Sequence, residues 1–413
     1  MTTPTAQSSP FAGWSVLAAG TLGLMMTLPG RTAALAVFLD PMLHELHLGR
    51  SLVSALFLVA TLGYTLLLPR AGRLLDRHSP RVCVGVVVVL FAIACLFSSS
   101  IHSPLTFFLA LFALRALGQG ALLMISQHTI NLWFVARRGL AVGISGAGFA
   151  IASILFPLGI GHAIGAIGWR DTFVALGMLQ LAVMLPVGLL GYRGRPEDHG
   201  LLPDGAQAPV DEDHWTRDEA LRTPTFWVFA AGIVALAGVS TGLELHHFSI
   251  MAEHGLTRPE ALAYFVPMGL FTALSNLGAG MAIDRSEPRR VLLAGLGLQA
   301  LALVMLGHVA AGPALWLYGA LQGLSLGVLA TLTSAVWPHY FGRRHAGAIR
   351  GFAQMLFVFG TALGPMPFAL CHQWIGSYEP VVLGSLGLLV VTGAAVGLLH
   401  PLERRMPQSS VHG

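Results

Sequence analysis

Three charged residues lie inside apolar runs that are long enough to cross a membrane: Arg31, Arg115 and Glu244. Each such charge costs about 2.5–3.5 kcal/mol on insertion scales, so each must face a polar cavity or a partner. A guanidinium binds carboxylates through a planar fork of donors, and a buried carboxyl group can carry a proton. These residues predict a cavity that binds an anion and a proton. Structural pairing of the charges is the alternative.

Helical spacing adds polar neighbours to these charges. Gln119 lies one turn after Arg115, and Glu244 shares a helix face with Ser240 and His247. Hydroxyl and amide side chains elsewhere in the apolar runs are further candidates, although a Ser or Thr in such a helix often bonds its own backbone. The predicted substrate-binding or proton-binding residues are Arg31, Tyr64, Arg115, Gln119, Glu244, His247 and Asn276.

The composition is typical of an integral membrane protein. Of 413 residues, 55% are hydrophobic and 10% are charged, with a mean hydropathy of +0.72; soluble domains carry about 25% charged residues. All 23 basic residues are Arg, and the three Cys lie in apolar runs, so no disulfide framework is readable. We find no metal-ligand cluster, phosphate loop, nucleophile arrangement or nucleic-acid motif. We therefore expect no enzyme, no cofactor, no metal site and no nucleic-acid partner.

Twelve apolar runs reach or approach the roughly 20 residues that a membrane helix needs. Their approximate bounds are 14–38, 50–69, 82–100, 105–133, 139–163, 172–192, 224–251, 260–282, 291–309, 313–338, 347–372 and 378–400. A polar linker at 193–223 separates an N-terminal half, 1–192, from a C-terminal half, 224–413. With both termini in the cytoplasm, eighteen arginines fall in cytoplasmic loops and three in outer loops. This bias follows the positive-inside rule.

An internal repeat relates the two halves. Segment 72–81 recurs 208 residues later as segment 280–289, with Gly, Asp, Arg, Pro and Arg in register. The same offset relates Glu45 to Glu253 and Arg50 to Arg258. A match that keeps its register over separate blocks indicates duplication.

Each copy carries an Asp-Arg pair at the end of an apolar run, where a carboxylate can pair with guanidinium groups or with a helix N-terminus. We predict that these pairs form in one arrangement of the halves and break in another, which would make them gating residues. The alternative is that they only fix the topology. The four residues are Asp76, Arg77, Asp284 and Arg285.

The first copy, Gly72-Arg73-Leu74-Leu75-Asp76-Arg77-His78-Ser79-Pro80-Arg81, resembles the Gly-x-Leu-x-Asp-Arg-x-Gly-x-Arg loop of the major facilitator superfamily, with Ser79 in place of Gly. Segments 133–143 and 195–201 resemble junctions in bacterial relatives of monocarboxylate and oxalate/formate carriers. Segment 115–120, Arg-Ala-Leu-Gly-Gln-Gly, is similar to the helix-4 motif Arg-x-x-Gln-Gly of proton-coupled members, with one residue more. The resemblance implies two six-helix halves that work by alternating access. Helix 8 lacks the Arg that carboxylate-binding members often place there.

We therefore expect an all-α membrane protein with twelve transmembrane helices in two pseudo-symmetric halves. It would be a secondary active transporter of a small organic solute, with a carboxylate favoured by two arginines against one carboxyl group, and with proton coupling through Glu244. Arg31 and Glu244 would pair as an outer gate. The alternatives are a proton-coupled exporter of drugs or metabolites and a non-transporting sensor, which would need a soluble module. We expect a monomer in a bacterial-type cytoplasmic (inner) membrane, with both termini cytoplasmic.

Overall fold

The structure is a computed structural model that describes residues 13–67, 74, 78–134, 138–194, 196, 215–341 and 346–398. These residues are almost entirely helical. In the N-terminal half, the helices are α1 (Gly13–Leu46), α2 (Arg50–Thr65), α3 (Pro80–Ser98), α4 (Pro104–Trp133), α5 (138–167) and α6 (169–191). Gly168 has φ 80° and separates α5 from α6.

The C-terminal half repeats this order after a short linker helix, Arg217–Leu221. Its helices are α7 (Pro224–Leu245, continued as His247–Glu253), α8 (Arg258–Ala263 and Phe265–Arg285), α9 (Pro288–Leu306), α10 (Pro313–Phe341), α11 (Ala346–Leu363 and Pro365–Ile375) and α12 (Glu379–Leu398).

Ten stretches of the described chain are apolar and long enough to cross a membrane, and one of them, Leu140–Gly191, contains both α5 and α6. The ten stretches therefore contain eleven helices. The apolar helix α2, with 16 residues, is the twelfth within the described residues. The predicted fold class is confirmed. The predicted end of the first helix at about residue 38 was wrong, because α1 continues through Pro41 to Leu46 and ends where His47 adopts a left-handed conformation, φ 51°.

The starts of the helices follow from local sequence. Proline occupies the first turn of α3, α4, α7 and α9, where its missing N–H costs no helical hydrogen bond. Ser103 caps α4 and Thr257 caps α8 through reciprocal bonds with the third helical residue.

One contact is built twice, at the end of the bundle where α1 meets α2 and α7 meets α8. We call this the α1–α2 end. Trp169 Nε1 and the Arg170 guanidinium donate to the carboxylate of Glu45, with a Trp169–Glu45 distance of 2.6 Å. Ser377 Oγ and Tyr378 N donate to Glu253, at 2.5 and 3.1 Å. In each half the last turn of the first helix thereby holds the start of the sixth helix: its first two residues in the N-terminal half and the two residues just before it in the C-terminal half.

The halves meet along three helix pairs: the second part of α1 with α7, α2 with α11, and α5 with α8. Two contacts close the α1–α2 end. The Arg258 guanidinium donates to Val37 O, and Ser54 Oγ lies 3.3 Å from His246 Nε2. The first part of α1, Gly13–Met25, packs instead against α4, α5 and α6 of its own half. The interface between the central helices α1 and α7 therefore lies toward the α1–α2 end.

Candidate functional site

Helix α1 is broken at its middle by the sequence Leu28-Pro29-Gly30, which forms a single 3₁₀ turn. The carbonyl oxygen of Met26, at the end of the first part of α1, accepts a hydrogen bond from Gln180 Nε2 of α6 at 2.9 Å. Arg31 begins the second part in an extended conformation, φ −100° and ψ 158°. Broken membrane helices expose backbone and side-chain polar groups to a cavity, so the break explains how Arg31 lies within a membrane helix.

Helix α4 carries a π-helical stretch, Arg115–Leu122, beside this break. The two segments pack backbone to backbone. A Cβ atom added to Gly30 would lie 2.2 Å from Leu114 O, and one added to Gly118 would lie 3.1 Å from Thr27 O. A π-bulge accommodates one extra residue in an α-helix and is common at functional sites. This stretch contains the segment 115–120, in which the sequence has one residue more than the resembled helix-4 motif.

Arg115 is 0% exposed. Its guanidinium carbon lies 4.2 Å from the ring centre of Phe57 and 5.6 Å from that of Tyr64, both on α2. Among the described residues, Nε, Nη1 and Nη2 make no hydrogen bond of normal geometry, although the Tyr64 hydroxyl lies close enough to interact with the guanidinium group. A buried guanidinium without an acceptor is strongly destabilising, and the two aromatic rings compensate only a part of this, since a cation–π contact contributes about 0.5–2 kcal/mol. In chemical terms, this arrangement can accept an anion as a further partner of the guanidinium group.

Arg31 is held differently. Its Nε donates to Thr27 Oγ1 at 3.1 Å, and its guanidinium carbon lies 4.3 Å from the ring centre of Phe149 on α5. Thr27 Oγ1 in turn donates to Leu24 O at 2.7 Å. Arg31 is partly buried, so it retains donors for a further partner.

The three charged residues and Tyr64 form one electrostatic cluster, which we call the central cluster: Arg31, Tyr64, Arg115 and Glu244. Both arginines attract the Glu244 carboxylate, Arg31 more strongly than Arg115. The Tyr64 hydroxyl interacts with both guanidinium groups. With Glu244 ionised, the cluster carries two positive charges and one negative charge, an excess of one positive charge that suits a monoanion.

The ion pair predicted between Arg31 and Glu244 is not formed. Among the described residues, no guanidinium nitrogen lies within 4.0 Å of a Glu244 oxygen. The reason is that Thr27 and Phe149 hold Arg31, while the α1–α2 end is closed by Arg258 and His246. Sequence reasoning missed the contact of His246 with the N-terminal half. Helical geometry directs the His246 side chain away from that of Glu244, toward Ser54 and toward Pro365 O, which lies 3.1 Å from Nε2.

Two further polar groups near Arg115 lack partners. Gln119 Oε1, one turn along α4, and Thr61 Oγ1, on the α2 face between Phe57 and Tyr64, are buried without a hydrogen bond among the described residues. Gln119 was predicted from its spacing. Thr61 was not, although it lies one turn after Phe57 and about one turn before Tyr64, and so shares their face.

The remaining predicted residues lie elsewhere. His247 Nε2 is 2.9 Å from Ala261 O, and its ring packs 4.3 Å from that of Tyr264, so the structure does not bring it to Glu244. Asn276 lies on α8 near Gly146 of α5, at the contact between halves. Asp76 and Arg77 fall outside the described residues. Asp284 and Arg285 end α8, and their side chains also fall outside the described part of the structure.

The family model of the Major Facilitator Superfamily matches residues 18–278 and 247–411. The chain belongs to the major facilitator superfamily. It is therefore a secondary transporter of small solutes, in agreement with its twelve membrane helices, and it is not an enzyme.

Named relatives are distant. The chain is 26% identical over 354 residues to monocarboxylate transporter 11 of Homo sapiens, covering 82% of this chain and 72% of that protein. It is 25% identical over 235 residues to the oxalate:formate antiporter of Oxalobacter formigenes, covering 54% and 52%. The fold is similar to the inward-facing, occupied structure of a bacterial homologue of the human lysosomal transporter Spinster, with a TM-score of 0.72, 17% identity and coverage of 95% and 97%.

Proposed function

We propose that this transporter moves a small organic anion, most simply a monocarboxylate, together with a proton. The observation that carries the proposal is Arg115, which is fully buried and whose three nitrogens make no hydrogen bond of normal geometry in the part of the chain that the structure describes. A carboxylate is the planar acceptor that fits a guanidinium fork. The names of two relatives, a monocarboxylate transporter and an oxalate:formate antiporter, support the same substrate class.

The central cluster gives a physical reason for coupling. When Glu244 binds a proton, the negative charge near Arg31 and Arg115 disappears and the cluster becomes more attractive to an anion. By reciprocity, a bound anion favours the proton on Glu244. Proton and substrate therefore bind with positive cooperativity, and the solute is carried with a proton rather than alone.

Alternating access follows from the way the halves meet. We propose that the α1–α2 end faces outward and that both termini are cytoplasmic, because eighteen of the arginines then fall in cytoplasmic loops. The closed contacts at Arg258 and His246 would separate when the cavity opens to the outside. Asp76, Arg77, Asp284 and Arg285 would act at the opposite, cytoplasmic end. We place the protein in a bacterial-type inner membrane, as a monomer.

Transport by the purified protein in liposomes tests the proposal. Labelled monocarboxylates, their neutral amides and cationic drugs are offered with and without an inwardly directed proton gradient. We expect gradient-driven uptake of carboxylates and no uptake of the amides. Uptake or extrusion of cations in place of carboxylates would contradict the anion assignment and favour the exporter.

A further inference from the structure

A second group of buried polar side chains lies in the C-terminal half, where α7, α9 and α10 meet. Ser240 Oγ of α7 donates to Gln299 Oε1 of α9 at 3.1 Å. Gln299 is 0% exposed, and its Nε2 has no acceptor among the described residues. Gln322 of α10 is 1% exposed, and its Oε1 has no donor among them. An unmet amide donor and an unmet amide acceptor are each costly in an apolar interior.

The two amides lie at the same level of the bundle. Ser325 Oγ of α10 lies 3.3 Å from Gly295 O of α9, which aligns these two positions on antiparallel helices. Gln299 follows Gly295 by four residues, about 6 Å along α9, and Gln322 precedes Ser325 by three residues, about 4.5 Å along α10. Because the two helices are antiparallel, both displacements point in the same direction. Packed helix axes are about 8–10 Å apart, so two glutamine side chains from facing helices can approach within the span of one small polar molecule.

We propose that Gln299 and Gln322 bind one buried water molecule between them. Gln299 Nε2–H donates to the water oxygen, and the water donates to Gln322 Oε1. A buried water needs two to four polar partners, and these two unmet groups have the complementary chemistry. An apolar ligand would form a hydrogen bond with neither the Gln299 donor nor the Gln322 acceptor.

The water site adjoins Glu244. Ser240, which holds Gln299, lies one helical turn from Glu244 on α7. Tyr264 of α8 lies beside Gln322 and interacts electrostatically with Glu244 and with Tyr318 of α10. The other charged or titratable groups that act on Glu244 are Arg31 of α1 and Arg115 of α4. The water, with Ser240 and Tyr264, therefore extends a polar environment behind the Glu244 carboxyl group, while the arginines face it from the other half.

In functional terms, Gln299 and Gln322 are positioning residues that act through Glu244. The link from these glutamines to Glu244 rests on the proposed function, whereas the shared water molecule does not depend on it. Removing the water takes polar groups from the surroundings of the ionised carboxylate. The pH of half-maximal uptake is then expected to move upward by about half a unit, a roughly threefold change in proton affinity.

A double-mutant cycle tests the shared water without reference to transport. Gln299→Met and Gln322→Met keep side-chain volume and remove the amides. Each single variant is expected to lower the unfolding temperature by about 2–4 °C, and the double variant by clearly less than the sum of the two single losses, because the shared water is lost only once. The Ser240–Gln299 bond and the interaction of Gln322 with Tyr264 cancel in the cycle, because each is lost whether its glutamine is replaced alone or together with the other one. Additive losses would overturn the proposal.

The pH profile of uptake tests the link to Glu244. Both single variants should shift the profile in the same direction, whereas Thr392→Val, which removes a buried hydroxyl bonded to Leu388 O in its own helix, should not. An unshifted profile in all variants would overturn the link. If the double variant does not purify, a high-resolution structure of the natural protein decides: density within about 3.2 Å of both amides supports the water site, and direct amide–amide contact contradicts it.

Discussion

At the α1–α2 end the two halves of the molecule carry the same contact, 208 residues apart, whereas at the centre they share almost nothing. Glu45 and Glu253 each hold the start of a sixth helix that follows a glycine with positive φ, Gly168 at 80° and Gly376 at 81°. In the central cluster, the residue 208 positions after Arg115 is Gly323, and the residue 208 positions before Glu244 is Ala36.

This difference separates the parts of the chain that hold the fold from the parts that we propose bind the solute. Both halves have the same turn between their fifth and sixth helices, and in both a carboxylate at the end of the first helix contacts the residues that follow this turn. The charges of the central cluster, by contrast, cannot be present in both halves without changing the net charge of the cavity and therefore the kind of solute that it attracts. A Cβ atom added to Gly323 would already lie 2.2 Å from Met268 O, so its backbone position has no room for a side chain as large as arginine.

The largest expected effect concerns the two equivalent glycines Gly30 and Gly238. A methyl group on Gly30 meets Leu114 O at 2.2 Å, whereas one on Gly238 meets Gly360 O at 3.2 Å. Gly30→Ala should destabilise the protein by about 3 kcal/mol or more, because backbone atoms must move, and Gly238→Ala should cost clearly less. Thermal unfolding in detergent measures both. Gly159→Ala, where the methyl group meets nothing within 4 Å, is the matched control, and equal losses for Gly30 and Gly238 would contradict the asymmetry.

Glu244→Gln should uncouple transport from protons. The wild-type protein is expected to accumulate substrate about tenfold per pH unit of gradient if one proton accompanies each anion, and the variant should only equilibrate it. Uptake by the variant should also lose its dependence on pH, because the titrating group is gone. The control variant Glu253→Gln also removes a carboxylate, but from the repeated contact at the α1–α2 end, and it should keep the coupling of transport to protons. Gradient-driven accumulation by Glu244→Gln would exclude Glu244 as the proton site.

The smallest effects are expected for the repeated contact itself. Glu45→Gln and Glu253→Gln each weaken charge-assisted hydrogen bonds to the sixth helix of one half. The Glu45 side chain is 48% exposed, so its ion pair with Arg170 contributes at most about 1 kcal/mol. Both variants should unfold a few degrees earlier than the natural protein and transport with unchanged substrate affinity. A changed affinity in either variant would mean that this end of the bundle also shapes the binding site.

The sequence alone predicts the fold because hydropathy, length and arginine placement report directly on the membrane. It also predicts three charges within membrane helices, since charges are rare inside apolar runs. It does not predict the π-helical stretch at Arg115, because a bulge depends on packing between α4 and the break in α1. The partners of Gln180, Gln299 and His246 are likewise set by contacts between helices far apart in the chain.

The central claim is that Arg115 is the anion receptor, and binding of a monocarboxylate and of its neutral amide to Arg115→Gln tests it most directly. Binding is measured by calorimetry in detergent at constant pH, with Arg170→Gln as the control that loses an arginine outside the cluster. Loss of a bidentate charged contact should weaken carboxylate binding roughly 100-fold, about 3 kcal/mol, and leave the weak binding of the amide unchanged. An equal loss for carboxylate and amide, or no loss for either, would contradict the account.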